Sequence, residues 1–148
     1  MTNYQRTKAW LTACGKEPSQ ENLSVQIGCH LEEQVEFLRT LRTDSEGYAQ
    51  MLSRICNDLE FLGKKLKTRA HVIYIPTHLR VDALDALCDT DVTGNGVAYL
   101  AGFDKDAGDE AVLASNEAKL VDGKPVILEG GKIGKPAGWK PPELRGFV

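Results

Sequence analysis

The sequence predicts an all-α protein, and three observations lead to that class. Apolar residues recur at helical intervals over long segments, for example at Leu31, Val35 and Leu38. Segments that favour strands are short. Glycine, proline and lysine are concentrated after residue 121. We therefore expect a helical domain over residues 1–120 and, within the same domain, a basic, extended and partly hairpin C-terminal arm over 121–148.

Five helices account for the first 120 residues. We expect them at 3–13, 22–42, 46–67, 77 to about 102, and 108–119. Thr77 is placed to cap the fourth helix. Gly94 and Gly96 lie inside it, and a mid-helix glycine costs about 1 kcal/mol relative to alanine. Either another group approaches this backbone closely or the helix breaks there. In the arm, Gly130-Gly131 predicts a hairpin turn between 125–129 and 132–133.

Charge and composition exclude several classes of protein. The 148 residues carry a formal net charge of -3, which argues against a nucleic-acid coat or a polybasic membrane segment. No apolar run approaches the roughly 20 residues of a membrane span, and residues 1–10 lack the apolar core of a signal peptide. The 4 cysteines form no CxxC pair. We therefore expect free thiols in the cytoplasm, with no zinc cluster, no nucleic-acid partner and no membrane partner.

Two clusters of acidic residues point to chemistry. In each cluster the carboxylates are spaced three to four residues apart, so they share one side of a helix. Both clusters lie beside apolar residues, where a helix meets its neighbours, and the carboxylates there repel one another unless a cation binds them. Hard oxygen ligands suit Mg²⁺, which commonly accompanies phosphate substrates. The clusters are Glu32, Glu33 and Glu36 in the first, and Asp82, Asp85 and Asp89 in the second.

A solvated acidic helix face is the alternative interpretation. It is disfavoured because no basic residue follows at the fourth position: Glu32 is followed there by Glu36, and Asp85 by Asp89. If Glu32 is not a metal ligand, its carboxylate can orient or deprotonate a water molecule.

A phosphate enzyme also needs donors for the oxygens that the metal does not bind. Asn116 and Lys119 share one helix face, and Lys132 and Lys135 lie in the basic arm. These four residues are the candidate substrate-binding groups, although a polar helix end and a solvated tail would have the same composition. Two tryptophans, Trp10 and Trp139, can stack on a nucleobase, but we favour packing roles for both.

Three motifs in order resemble the all-α nucleoside triphosphate pyrophosphohydrolases, the MazG and phosphoribosyl-ATP pyrophosphohydrolase-like group. Residues 32–36, EEQVE, are similar to the family's EExxE. Residues 85–104 resemble its second metal helix in the phage-type branch. The segment from Ser115 to Lys119, with the lysines and prolines that follow, resembles the C-terminal part of that branch. The resemblance spans roughly residues 26–144.

This resemblance implies a MazG-like helical bundle and a homo-oligomer, either a dimer or a tetramer. It implies Mg²⁺, with Mn²⁺ as a substitute, and hydrolysis of a nucleoside triphosphate at the α–β bond to a monophosphate and pyrophosphate. The location would be cytoplasmic, in the host cytoplasm if the chain is phage-encoded. Deoxynucleoside triphosphates are the expected substrates, in a narrower version dGTP or purines. The implied catalytic residues are Glu32, Glu33, Glu36 and Asp89, and Asn116 and Lys119 would contact phosphates or sugar.

One position departs from the family pattern. The second motif is normally ExxD, but Ala86 stands three residues before Asp89. Asp85 or Asp82 then takes the place of the glutamate, so the metal ligands are Glu33, Glu36, Asp89 and one of these two aspartates, with Asp85 preferred. The number of metal ions stays open.

Two other classes of function are compatible with the same residues. A non-catalytic nucleotide-binding or sequestering protein would keep the binding groups without turnover. A helical oligomerisation module would use neither acid cluster.

Overall fold

The computed structural model describes residues 1–68, 72–128 and 133–148. Within these ranges the chain is mostly helical, which confirms the predicted class. The elements are α1 (Asn3–Ala13), α2 (Gln20–Leu38), α3 (Glu46–Lys67), α4 (Arg80–Ala101), α5 (Lys105–Glu117), β1 (Leu120–Val121) and β2 (Lys124–Pro125). No helix among the described residues is long and apolar enough to cross a membrane.

The chain divides into two compact units. The first, residues 18–76, contains α2 and α3 and is called the hairpin unit here. The second combines residues 1–17 with 77–148 and contains the remaining elements; it is called the composite unit. The basic arm, residues 121–148, therefore belongs to the same unit as α4 and α5.

The hairpin unit is built on a close contact between two glycines. A Cβ atom added at Gly28 of α2 would lie 2.8 Å from the carbonyl oxygen of Gly63 in α3, and one added at Gly63 would lie 3.0 Å from the carbonyl oxygen of Gly28. The two backbones can approach this closely only because both residues lack a side chain. Val35, Cys56 and Leu66 are buried in the same unit.

Serine side chains begin both helices of this unit. The Ser19 hydroxyl accepts a hydrogen bond from the Asn22 amide at 3.0 Å, and the Ser45 hydroxyl accepts one from the Tyr48 amide at 3.5 Å. The predicted bounds of α3 are confirmed. The predicted end of α2 was wrong, because the helix stops at Leu38 rather than at residue 42. Arg42 donates to the carbonyl oxygens of Arg39 and Leu41, so a side chain satisfies backbone acceptors beyond the helix end.

In the composite unit α1 packs against α5. The Arg6 guanidinium connects them through two 2.8 Å hydrogen bonds to the Glu117 carboxylate and through an ion pair with Glu110. A capping box between Thr2 and Gln5 begins α1, and its predicted bounds are confirmed.

The fourth helix differs from expectation at its start and at its glycines. Residues 77–79 form a 3₁₀ turn, and α4 begins at Arg80 without a side-chain cap, so the capping role predicted for Thr77 was wrong. The helix is continuous through Gly94 and Gly96. Apart from the backbone of the helix itself, no described atom lies within 4 Å of a Cβ added at either glycine. The expected break is therefore absent from α4, and no close neighbour accounts for these glycines among the described residues.

Local side-chain and turn contacts determine where α5 begins and how the chain turns after it. The helix begins at Lys105, earlier than predicted, because the Asp104 carboxylate accepts from the Ala107 amide at 3.1 Å. Its predicted end at residue 119 was wrong, because the helix stops at Glu117 and Lys119 lies in the turn that follows. β1 and β2 form an antiparallel hairpin whose turn, Asp122-Gly123, has φ values of 51° and 74°. This Asp-Gly signal was overlooked in the sequence. Ile127 and Ile133 form an antiparallel bridge that agrees with the flanks of the second predicted hairpin. Its predicted turn, Gly130-Gly131, lies outside the described residues.

Candidate active site

The first acidic cluster lies in the middle of α2. Val35 is 3% exposed and anchors this turn of the helix in the hairpin unit. Glu33 and Glu36 are exposed, and Glu32 is half-buried. The burial of Val35 therefore directs the acidic side of the helix outwards, with Glu32 at the boundary with α3.

Lys67 of α3 provides a counter-ion that spacing along α2 did not predict. Its ammonium forms an ion pair with the Glu32 carboxylate, and both side chains are about one-third exposed. The stem of Lys67 packs where a side chain at position 28 would be, since a Cβ added at Gly28 would lie 2.9 Å from Lys67 Cγ. The glycine contact thus leaves the space through which Lys67 reaches Glu32. A cross-helix partner of this kind has no signature in single-helix spacing.

The second acidic cluster lies on α4 in the composite unit. Asp82, Asp85 and Asp89 are all exposed. In the described residues, no salt bridge involves any of these three carboxylates. The Asp89 carbonyl oxygen accepts from the Thr93 hydroxyl at 2.8 Å, which is a local helical contact.

Exposed carboxylates on α2 and on α4 are the possible donors for Mg²⁺. Across the part of the chain that the structure describes, no group of three or more histidine, cysteine, aspartate or glutamate residues is arranged to hold a metal ion. Mg²⁺ commonly binds through only one or two carboxylates, with water and substrate phosphates completing its octahedron. The exposed Glu33 and Glu36 on α2, and Asp85 and Asp89 on α4, are hard oxygen donors that fit this mode.

Three of the four predicted substrate-binding residues come together in the composite unit. Lys119 Nζ donates to Asn116 Oδ1 at 2.8 Å and lies 5.5 Å from the centroid of the Trp139 ring system. Lys135 Nζ lies 4.4 Å from the same centroid. The structure thus places two ammonium groups and one amide around a single tryptophan. Lys132 lies outside the described residues.

The two tryptophans take part in the same cluster. Lys119 Nζ is also 5.9 Å from the Trp10 ring centroid, at a distance where a cation and an aromatic face attract each other. Trp139 Nε1 donates to the Ser115 carbonyl oxygen at 2.8 Å, so the ring is fixed against α5. Trp10 Nε1 is buried and has no hydrogen-bond partner among the described residues. Residues 10, 116, 119, 135 and 139 are called the lysine–tryptophan cluster below.

Two titratable groups near this cluster have pKa values shifted in opposite directions. Burial raises the pKa of the Cys14 thiol, although Lys16 and Lys119 act in the opposite direction. The hydrogen bonds from Arg6 lower the pKa of Glu117 on the neighbouring α1–α5 contact. Cys14 therefore remains a neutral, buried thiol at ordinary pH, as expected for a small apolar residue, while Glu117 stays ionised.

Sequence reasoning overlooked a cavity in the hairpin unit. It has a volume of about 270 Å³ and lies between the end of α2 and the first half of α3. Arg39 and Arg42 line it together with polar Thr43 and Asn57 and apolar Leu52. Arg39 is ion-paired with Glu60, whose pKa is lowered by Lys64 and by Arg39. The signal that could have been used is the pair of arginines directly after the acidic motif.

No protein-family model, curated protein sequence or solved structure matches the chain.

Proposed function

We propose that the protein is a MazG-like, Mg²⁺-dependent nucleoside triphosphate pyrophosphohydrolase that acts on deoxynucleoside triphosphates in the cytoplasm, with dGTP or another purine nucleotide as the narrower candidate. The observation that carries the proposal is the acidic motif of α2. Glu33 and Glu36 point to solvent from a helix that is capped at Ser19 and anchored by buried Val35. Such a fixed set of carboxylates suits a cation that brings a polyphosphate with it.

The reaction adds water across the bond between the α- and β-phosphates. The water oxygen attacks the α-phosphorus, the bond to the bridging oxygen breaks, and a nucleoside monophosphate and pyrophosphate leave with release of a proton. Bound Mg²⁺, for which Mn²⁺ can substitute, neutralises charge on the phosphates and favours this displacement. Glu33, Glu36, Asp89 and Asp85 are the proposed ligands, and Asp82 is the alternative to Asp85.

In this proposal Glu32 acts on the water rather than on the metal. Its carboxylate is half-buried and is held by the Lys67 ammonium, so its direction is fixed by a neighbouring helix. A positioned carboxylate can orient a water molecule and accept its proton. The ion pair with Lys67 holds this carboxylate at the boundary between α2 and α3.

In this proposal the lysine–tryptophan cluster binds the sugar and the phosphate oxygens that the metal does not contact. Lys119 and Lys135 bring two positive charges close to one ring, and Asn116 adds an amide. Lys132 is proposed for the same role. The active form is proposed to be a homo-oligomer, a dimer or a tetramer.

The test is a panel of ribo- and deoxyribonucleoside triphosphates incubated with the full chain and Mg²⁺, with pyrophosphate and orthophosphate measured separately. We expect pyrophosphate from at least one deoxynucleotide. Glu36→Gln and Asp89→Asn should each lower the rate by at least a hundredfold while circular dichroism shows unchanged helix content. Gln34→Ala, an exposed neighbour on α2, serves as the matched control. Release of orthophosphate alone, or no release from any nucleotide, would contradict the proposal.

The second candidate function is nucleotide binding without turnover. It is favoured by one observation: the lysine–tryptophan cluster is already assembled within a single unit. Titration of the protein with each nucleotide, followed by tryptophan fluorescence, distinguishes the two. Quenching that is lost in Trp139→Phe, together with stable nucleotide in the presence of Mg²⁺, would support the binding protein over the enzyme.

A further inference from the structure

The cavity between the end of α2 and the first half of α3 lies within the hairpin unit and is called the α2–α3 cavity here. Leu38, Leu52 and the buried Cys56 supply apolar side chains to its lining. Arg39 and Arg42 supply the charge, and no acidic residue of the described chain lines the cavity. The whole chain has a net charge of -3, so this local set of cations does not follow from the overall composition.

Both guanidinium groups are held by other contacts and still have donors to offer. Arg39 Nη2 donates to the Glu60 carboxylate at 2.6 Å. Arg42 Nη1 donates to the carbonyl oxygens of Arg39 and Leu41, at 2.7 Å in each case. Because a guanidinium has five N–H donors, Nε and one terminal nitrogen of each arginine are left for a ligand. A side chain that is already held also loses less conformational entropy when a ligand binds.

Glu60 does not cancel the positive charge beside the cavity. Its carboxylate accepts from Lys64 Nζ at 2.7 Å as well as from Arg39, so two cations share one anion. Arg42 adds a third cation, and the remaining excess of positive charge attracts anions. Ser53 and Asn57 contribute a hydroxyl and an amide to the same lining.

We propose that the α2–α3 cavity binds a small organic anion, whose carboxylate or phosphate group lies against Arg39 and Arg42 and whose compact apolar body lies against Leu38, Leu52 and Cys56. The planar guanidinium matches the oxygens of either anionic group. The cavity volume of about 270 Å³ is slightly below the roughly 300–1,000 Å³ of usual small-molecule pockets. The occupant is therefore a small molecule rather than a nucleoside triphosphate, and the site goes beyond the proposed function.

The test is a titration of the ¹⁵N-labelled full chain with phenyl phosphate and with benzoate at physiological ionic strength, followed by NMR. We expect saturable shifts of amide signals, concentrated in residues 38–43 and 49–57, with at least one of these anions. Inorganic phosphate lacks the apolar body and benzyl alcohol lacks the charge. Each should bind at least tenfold more weakly than the tighter of the two anions. The preference between phenyl phosphate and benzoate identifies the anionic group that the cavity selects.

Two variants test the cavity from different sides. Arg42→Gln removes one cation and should weaken binding at least tenfold. Arg54→Gln is the matched control, because Arg54 is exposed on α3 and is not a lining residue. Ala49→Phe retains both arginines. Because Ala49 is exposed and lines the cavity, the larger side chain should occupy the cavity and weaken binding to a similar degree. Circular dichroism should show unchanged helix content in all three variants.

Several results would overturn the proposal. These are the absence of saturable shifts with both anions, shifts spread over the surface rather than concentrated at the cavity, and inorganic phosphate that binds as tightly as phenyl phosphate. An unchanged affinity in Arg42→Gln or in Ala49→Phe would overturn it too. None of these measurements involves nucleotide hydrolysis, so the cavity and the reaction can fail separately.

Discussion

Lys67 determines how much negative charge the acidic face of α2 presents. Its ammonium pairs with Glu32 from a different helix, so a bound Mg²⁺ has to share that carboxylate or leave it to the lysine. The interaction itself contributes little to folding, about 0.2–1 kcal/mol, because both side chains are partly solvated. Its consequence for a metal is larger, because each added positive charge near the cluster opposes the binding of another cation.

Lys67→Met should therefore bind Mg²⁺ more tightly than the natural protein. We expect addition of Mg²⁺ to raise the melting temperature more in this variant than in the parent, as measured by differential scanning fluorimetry. Lys64→Met is the control, because Lys64 pairs with Glu60 on α3 rather than with the acidic motif. If Mg²⁺ raised the melting temperature equally in all three proteins, this result would contradict an influence of Lys67 on metal binding.

A second residue-scale prediction concerns pH. Arg6 lowers the pKa of Glu117 below its ordinary value of 4.5, chiefly through hydrogen bonds. A group whose pKa is lowered in the folded state stabilises that state above its unfolded pKa, and the contribution disappears as the pH falls through the folded pKa. Glu117→Gln should thus be less stable than the parent at pH 7, and the difference should shrink below about pH 4.5. Urea unfolding at a series of pH values measures it. A difference that grows as the pH falls would contradict the assignment.

At the scale of the helices, the contact between Gly28 and Gly63 restricts the sequence most, because neither position has room for a side chain. An alanine at position 28 would place its Cβ 2.8 Å from a backbone oxygen and 3.3 Å from Leu66 Cβ. We expect Gly28→Ala to lower the free energy of unfolding by about 1–3 kcal/mol, the usual cost of overpacking.

Gly94→Ala is the matched control for this prediction. Its Cβ has no described neighbour within 4 Å, so the higher helix propensity of alanine should stabilise α4 by up to about 1 kcal/mol. Denaturant unfolding of the two variants and the parent gives both values. Equal effects at the two glycines would show that helix propensity alone, and not the close approach of α2 and α3, explains position 28.

The helices were largely predictable from sequence because their signals are local. The predicted ranges of α1 and α3 agree with their observed bounds, and the side-chain caps at Thr2 and Ser45 that begin them are contacts within a few residues. The end of α2 was harder to predict from the sequence, since there the Arg42 side chain donates to the carbonyl oxygens of Arg39 and Leu41. The β1–β2 hairpin carried a readable Asp-Gly signal that was overlooked.

The candidate site was predictable only in part, for a related reason. Asn116 and Lys119 are three residues apart, so their hydrogen bond is a local contact, although α5 ends at Glu117 and Lys119 lies in the turn that follows. Lys135 and Trp139 reach these residues through the folding of the arm, and Lys67 reaches Glu32 across a helix contact. Contacts of this kind depend on tertiary packing, which residue spacing does not encode. The metal ligands proposed for α2 and α4 remain predictions.

At the scale of the whole molecule, the proposed ligands belong to different units. Glu36 lies in the hairpin unit and Asp89 in the composite unit. If both hold the same ion, removal of either should eliminate most of its catalytic effect. The rate of Glu36→Gln/Asp89→Asn should then be close to that of either single variant, since residues that act together are not additive. Multiplicative losses in steady-state assays would indicate that the two residues act independently.

The central claim is hydrolysis between the α- and β-phosphates, and ³¹P NMR of the products tests it most directly. The full chain is incubated with dGTP, and with the other deoxynucleoside triphosphates, in the presence of Mg²⁺, and the phosphorus signals are followed over time. The account predicts that signals of pyrophosphate and of a nucleoside monophosphate rise together and in equal amounts. A diphosphate with orthophosphate, or triphosphates that persist unchanged throughout, would contradict it.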